Sequence, residues 1–186
     1  MYKLCKTEQS ARRQGEMEQG LLKMMLQQRY EEISVSDLCD QLGVPRKSFY
    51  RYFSSKDGAL YALLDHTMME FFDSGVSTAG LVPGTQIGDL DRYFLFWRSH
   101  GELLDALQRN GLSGILVERA MALALRERLM PGYLRSVSEE VQRLALSFSV
   151  SGLLSMVLQW HAQGFRAAPT EMTRIAVEML TKPLIQ

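Results

Sequence analysis

From Glu8 to Leu180 the apolar residues of this chain recur three and four positions apart, and almost nowhere do apolar and polar residues alternate between turns. A spacing near 3.6 buries one stripe of a helix, whereas strict alternation buries one face of a strand. The expected fold class is therefore all-α, with about nine helices.

Punctuation divides the pattern. A first helix is expected from Glu8 to Arg29, with Met17, Leu21, Met24, Met25 and Leu26 inward. Ser34-Val35-Ser36-Asp37 has capping-box spacing and starts a second, short helix that Gly43 ends. Pro45 opens a third, running to Phe53, at a first-turn position where its missing N–H costs nothing. Ser54 is expected to cap a linking helix over about 56–73. The stretch from Asp73 to Asp89 holds four glycines and a proline, and reads as a loop. Beyond it, Leu90, Tyr93, Phe94, Trp97 and Leu104 mark a fifth helix that Asn110-Gly111 stops. A sixth is expected from Leu112 to about Arg128, a long one from Leu134 to Gln163, and a last one after Pro169 with Thr170 as its cap. The division this suggests is a three-helix head over 1–55 and a larger helical body over 56–186.

Two short helices joined across Gly43, the second rich in basic and aromatic side chains, make a helix-turn-helix, in which one helix braces and the next enters the major groove of DNA. The formal net charge is zero, which by itself argues against a polyanionic partner, but the distribution matters more. Residues 1–60 carry ten basic and eight acidic side chains, a balance of +2, and the remainder carry −2. Between Val44 and Lys56 the ionised side chains are all basic: Arg46, Lys47, Arg51 and Lys56. Arg46 suits bidentate contact with a guanine edge, and Lys47 suits a phosphate. Tyr50 and Tyr52 offer hydroxyls, and Lys56 a charge at a helix N-terminus, itself suited to phosphate.

The run Ile33-Ser34-Val35-Ser36-Asp37-Leu38-Cys39-Asp40-Gln41-Leu42-Gly43-Val44-Pro45-Arg46-Lys47-Ser48-Phe49-Tyr50-Arg51-Tyr52-Phe53, continued by Ser54-Ser55-Lys56-Asp57-Gly58-Ala59-Leu60, resembles the DNA-binding signature of the tetracycline-repressor (TetR) family. The likeness holds residue type and spacing over nearly thirty positions. It implies that Phe49 and Phe53 belong to the head core, Tyr50 and Lys56 to phosphate contacts and Ser34 to the capped start of the bracing helix. It also implies that Arg46, Lys47 and Ser48 lie at or near the bases. The DNA-binding set expected is thus Ser34, Arg46, Lys47, Ser48, Tyr50, Arg51, Tyr52 and Lys56. This chain departs from the family pattern with Pro45 in place of a small hydroxyl cap, Tyr52 where histidine is frequent, and Arg29 where glycine often precedes Tyr30. Past residue 65 the resemblance is architectural.

In the body, flexible Met and rigid aromatic side chains suit an effector pocket. The expected lining is Phe94, Trp97, Arg98, Leu116, Met121, Met156 and Trp160, with Tyr93 and Leu104 as further apolar candidates and His100, Glu118, Gln159 and His161 as further polar anchors; plain core is the alternative for the apolar ones. The helix over 134–163 is apolar around most of its circumference and calls for burial on every side. A second copy is expected to cover one side, through Phe148, Ser151, Gly152, Ser155, Ile175 and Met179, and the family resemblance implies the same homodimer.

Other classes find little support. Hydrophobic residues make up 46% and charged residues 23%, which sets disorder aside. Leu144 to Phe165 is long enough to span a bilayer and carries no formal charge, but its serines, glutamines and His161 make it too polar for lipid on all sides. Cys5 and Cys39 form no framework, and the start of the chain has no signal-peptide core, so a cytoplasmic protein is expected. His66, His100 and His161 have no ligand-spaced partners, and no nucleophile-and-base set stands out, so neither a metal, a cofactor nor an enzymatic activity is expected. The expected function is a DNA-binding regulator, a homodimer on double-stranded pseudo-palindromic DNA, released by a small-molecule effector. The rivals are control by a protein partner and a ligand-binding protein with a vestigial head.

Overall fold

The computed structural model describes residues 1–73, 87–126 and 136–181. Among these, nine α-helices account for most of the chain and there is no strand: α1 (Glu8–Gln27), α2 (Val35–Leu42), α3 (Arg46–Tyr52), α4 (Lys56–Asp73), α5 (Ile87–Ser99), α6 (Gly101–Arg109), α7 (Ser113–Arg126), α8 (Glu139–Ala162) and α9 (Pro169–Thr181). The central part of the expected loop over 73–89, the Pro131-Gly132 stop and the expected starting point of the long helix at Leu134 lie outside the described residues.

Contacts gather into two units: Met1–Thr67 with Asp105–Leu112, and Met68–Leu104 with Ser113–Gln186. The first unit takes in α4 as far as Thr67, and Ala59, Leu60, Leu63 and Leu64 of α4 are buried, as are Leu21 and Met25 of α1. Residues 105–112 join it through Asn110, whose side chain accepts from the Tyr30 N–H at 2.6 Å and donates to the Met25 carbonyl at 3.1 Å. Asn110 is therefore more than the helix stop its Asn-Gly context suggests.

Several helix ends differ from the sequence expectation, each for a local reason. α1 stops at Gln27, where the extended backbone of Gln28 ends the ladder, and Tyr30–Glu32 form a single 3₁₀ turn. Ser55, not Ser54, caps α4: its Oγ accepts from the Gly58 N–H at 3.1 Å, while Ser54 Oγ donates to the Met1 carbonyl at 2.8 Å. The expected fifth helix is two, α5 and α6, separated at His100, whose carbonyl accepts from the N–H groups of Leu103 and Leu104 and so starts a new helix. α8 begins at Glu139 because Ser138 is its N-cap and two glutamates fill its first turn. α9 starts with Pro169 itself at the first helical position, with the Ala168 carbonyl accepting from Glu171 and Met172, so Thr170 lies inside the helix.

In the second unit α5 packs on α9 and α7 on α8. Phe94 and Trp160 meet edge to face at 5.8 Å in the core, and the Trp160 indole donates to the Ala167 carbonyl at 3.1 Å, fixing the turn that leads into α9. α8 is long and apolar enough to cross a membrane by length and composition alone. It is largely uncovered on one side: Leu144 and Phe148 are 65% and 66% exposed, and Val141 and Met179 of α9 also face outward.

Candidate nucleic-acid interface

The interface begins with two caps. At α2, Ser34 Oγ accepts from the Asp37 N–H and the Asp37 carboxylate accepts from the Ser34 N–H, both at 3.1 Å, a reciprocal box that uses Asp in the position usually held by Glu. Those hydrogen bonds hold the Asp37 carboxyl below its ordinary range. At the other end Gly43 adopts φ 64°, ψ 31°, a left-handed conformation that a side chain resists, and the Val44 N–H turns back to the Cys39 carbonyl at 3.0 Å. Pro45, at φ −64°, is the N-cap residue of α3, and its carbonyl accepts from Ser48 N–H at 2.8 Å.

α3 thereby presents two unlike sides. Phe49 and Phe53 are fully buried with ring centroids 5.0 Å apart, anchoring the helix to the head. Arg46, Lys47, Tyr50 and Arg51 are exposed, Ser48 is half-buried, and Ser34 at the start of α2 is exposed as well. Tyr50 rests its ring edge-on against Phe49 at 5.6 Å, so the phenol is held while 47% of the residue stays open. A short helix with a fixed apolar side and a free basic and aromatic side is the chemistry that groove binding needs.

Two residues of the expected set sit differently. Tyr52 is only 6% exposed, on the packed side of α3. Lys56 turns its ammonium inward, donating to the carbonyls of Tyr30 and Ile33, the latter at 2.7 Å, and lying 4.2 Å from the Tyr30 ring centroid. It thus caps the orphan carbonyls of the 3₁₀ turn, while Tyr30 donates its hydroxyl to Asp57 at 2.6 Å. Burial and the Asp57 carboxylate both push the Tyr30 phenol upward.

The sequence reading missed the N-terminal arm altogether. Tyr2 forms an antiparallel bridge with Phe53, Lys3 N–H donates to the Tyr52 carbonyl at 2.9 Å, and Ser54 N–H donates to the Met1 carbonyl at 3.0 Å. Tyr2 then reaches Asp65 of α4 through its hydroxyl at 2.7 Å. Nothing in the composition of residues 1–6 signals this; the nearest clue is Gly58, where a Cβ would lie 2.5 Å from the Met1 carbonyl oxygen.

Of the expected pocket residues, Tyr93 and Trp97 line a cavity in the second unit, bounded also by Met68, Phe71, Leu123 and Leu153. Phe94, Leu116 and Trp160 are buried without lining it, Met121 and Met156 are half-buried, and Arg98 is exposed. Of the further polar anchors, Glu118 and Gln159 are exposed and His100 and His161 half-buried. Of the expected dimer residues, Phe148, Gly152, Ser155 and Met179 are exposed, and Ser151 and Ile175 half-buried. Among the described residues no cluster of His, Cys, Asp and Glu is arranged to hold a metal ion.

Residues 21–63, from the second half of α1 into α4, match the family model for bacterial regulatory proteins of the tetR family. No curated protein matches the chain. Two solved structures are similar in fold. The dihydroxyacetone kinase operon activator DhaS aligns with a TM-score of 0.57 at 13% identity, over 90% of this chain and 93% of that one. The fatty acid degradation regulator FadR from Bacillus halodurans aligns with a TM-score of 0.56 at 16% identity, over 92% of this chain and 95% of that one. At such identities the likeness is one of fold, and the matched segment is what carries the assignment. Residues 21–63 thus hold a helix-turn-helix segment of the kind that the tetR family of bacterial regulatory proteins carries.

Proposed function

We propose that this protein is a repressor that binds a pseudo-palindromic operator as a homodimer and leaves it when a small molecule enters the body. The observation that carries the reading is the division of α3: Phe49 and Phe53 fix the helix while Arg46, Lys47 and Tyr50 remain free. Arg46 reads a base edge, Lys47 and Tyr50 meet phosphates, and the exposed N-cap at Ser34 adds a hydroxyl at a helix N-terminus, where backbone N–H groups favour an anion.

One copy offers a single recognition helix, whereas a two-fold pair reads two half-sites about one helical turn, ~34 Å, apart or more. The uncovered side of α8, with Leu144 and Phe148, and Met179 of α9 supply an apolar surface for that pairing. The effector acts through α4, whose residues divide between the two units at Thr67 and Met68. It must bind the two conformations of the protein unequally, since equal affinity shifts nothing.

Selection from random duplex DNA at moderate salt tests the reading. An enriched inverted repeat is expected; recovery of unrelated sequences, or of single half-sites only, would overturn it.

A further inference from the structure

Between the last turns of α4 and the helices α5, α7 and α8, all within the second unit, lies a cavity of about 80 Å³. Its described lining is aliphatic and aromatic, with no Lys, Arg, His, Asp or Glu among the thirteen described residues that bound it. Two of the lining residues carry hydroxyls, Tyr93 and Ser149. Ser149 Oγ already donates to the Ala145 carbonyl at 2.9 Å on its own helix. The Tyr93 hydroxyl is buried and finds no acceptor for its proton among the described residues. The Trp97 indole stands edge-on with ring centroids 6.4 Å apart, and its N–H can only donate. What Tyr93 lacks is an acceptor for its own proton.

A buried donor left in this state is uncommon, because folding otherwise selects a partner for it. Burial also pushes the phenol well above its ordinary value, against a smaller opposing effect of Trp97, so the proton stays on the oxygen. A charged ligand would bring an ion into this lining with nothing to pair it. An uncharged ligand with an acceptor oxygen would complete the one unmet hydrogen bond and leave the rest of its surface to hydrocarbon.

Resting on the effector reading above, we propose that this cavity takes a small, uncharged, largely apolar ligand bearing a single hydrogen-bond acceptor, and that Tyr93 is the donor that orients it. The volume is about half of the ~150 Å³ apolar cavity that accepts benzene. A ligand of about six heavy atoms therefore displaces Met68, whose unbranched side chain repacks readily.

The test uses three compounds of similar size: cyclopentanone, its hydrocarbon isostere methylenecyclopentane, and cyclopropanecarboxylate. Binding is followed on the full chain by the NMR signal of the Met68 methyl group, in the wild type and in Tyr93→Phe, with thermal unfolding showing that the variant folds. Both uncharged compounds are expected to shift the Met68 signal saturably, and the carboxylate to leave it in place. Tyr93→Phe is expected to weaken cyclopentanone about three- to tenfold, the range of one neutral hydrogen bond, and to change methylenecyclopentane less than about twofold. Equal effects of Tyr93→Phe on ketone and hydrocarbon, binding of the carboxylate as tight as the ketone, or no Met68 shift with any probe would overturn the assignment. Saturation of the Met68 signal with no loss of affinity for the selected DNA repeat would leave the ligand class standing and sink the effector role instead.

Discussion

His66 Nδ1 on α4 lies 3.0 Å from Oε2 of Glu18 on α1, a carboxylate only 3% exposed in the head. The other oxygen of Glu18 has no hydrogen-bond partner among the described residues, the Tyr2 ring stands edge-on to the imidazole at 5.5 Å, and Asp65 adds a second negative charge. The hydrogen bond to Glu18 raises the His66 pKa above its ordinary 6.5, against desolvation, which lowers it. A raised histidine pKa means that the folded head holds the proton more tightly than the unfolded chain.

The stabilisation is therefore complete below about pH 6.5 and is lost as pH rises through the folded-state value. Because the imidazole is more than a third exposed, solvent screening keeps the change to below about 1 kcal/mol. Urea unfolding between pH 6 and pH 9 should show stability falling across the window, and Glu18→Gln should flatten the slope. A stability that climbs with pH in the wild type would contradict the pairing.

Lys56 holds the 3₁₀ turn to the start of α4. Lys56→Gln removes the ammonium from the carbonyls of Tyr30 and Ile33 and from the Tyr30 ring. Hydrogen bonds to a charged donor contribute about 1.5–3 kcal/mol, so a loss of about 2 kcal/mol in unfolding free energy is expected. DNA affinity should drop for all sequences alike. An unchanged unfolding midpoint would mean that the ammonium is not engaged in solution.

Arg46 and Lys47 occupy neighbouring exposed positions with different tasks. Arg46→Ala should relax preference at one base pair by about 1–3 kcal/mol, whereas Lys47→Ala should weaken all duplexes and reduce the slope of log K against log salt by about 0.9. Neither should move the unfolding midpoint, since both side chains are exposed. Binding to selected and scrambled duplexes across a salt series separates the two, and an identical profile for both variants would refute the assignment.

Gly58→Ala probes the arm. A Cβ there would fall 2.5 Å from the Met1 carbonyl oxygen, a backbone atom that must move away. The hydrogen bonds from Ser54 to Met1 and from Lys3 to Tyr52 then loosen, at about 1 kcal/mol each. Amide exchange at Lys3 and Ser54 should quicken about fivefold or more while the interior of α4 keeps its protection. Equal protection in both proteins would show the arm unmoved.

Phe148→Glu tests pairing through α8. Phe148 is 66% exposed in the single chain, so charging it costs a monomer little. In a dimer the same change buries a carboxylate in an apolar contact, and sedimentation should report monomer where the wild type reports dimer. No difference in mass would place the subunit contact elsewhere.

Much of this protein was legible in its residues because the relevant signals are local. Helical spacing set the class, Ser34 with Asp37 set the start of α2, Gly43 and Pro45 set the turn, and the spacing of Phe49 and Phe53 left Arg46, Lys47 and Tyr50 on the free side. Each depends on neighbours within a turn or two, where backbone geometry relates sequence distance to spatial distance. The tertiary structure decided what sequence distance hides. It turned the Lys56 ammonium onto carbonyls some two dozen residues away, tied Tyr30 to Asn110, laid Tyr2 against Asp65, and, of the neighbouring pocket candidates Tyr93 and Phe94, put only Tyr93 on the cavity. Buried polar groups take whatever partner the packed chain brings within about 3 Å, and only the packing determines which partner that is.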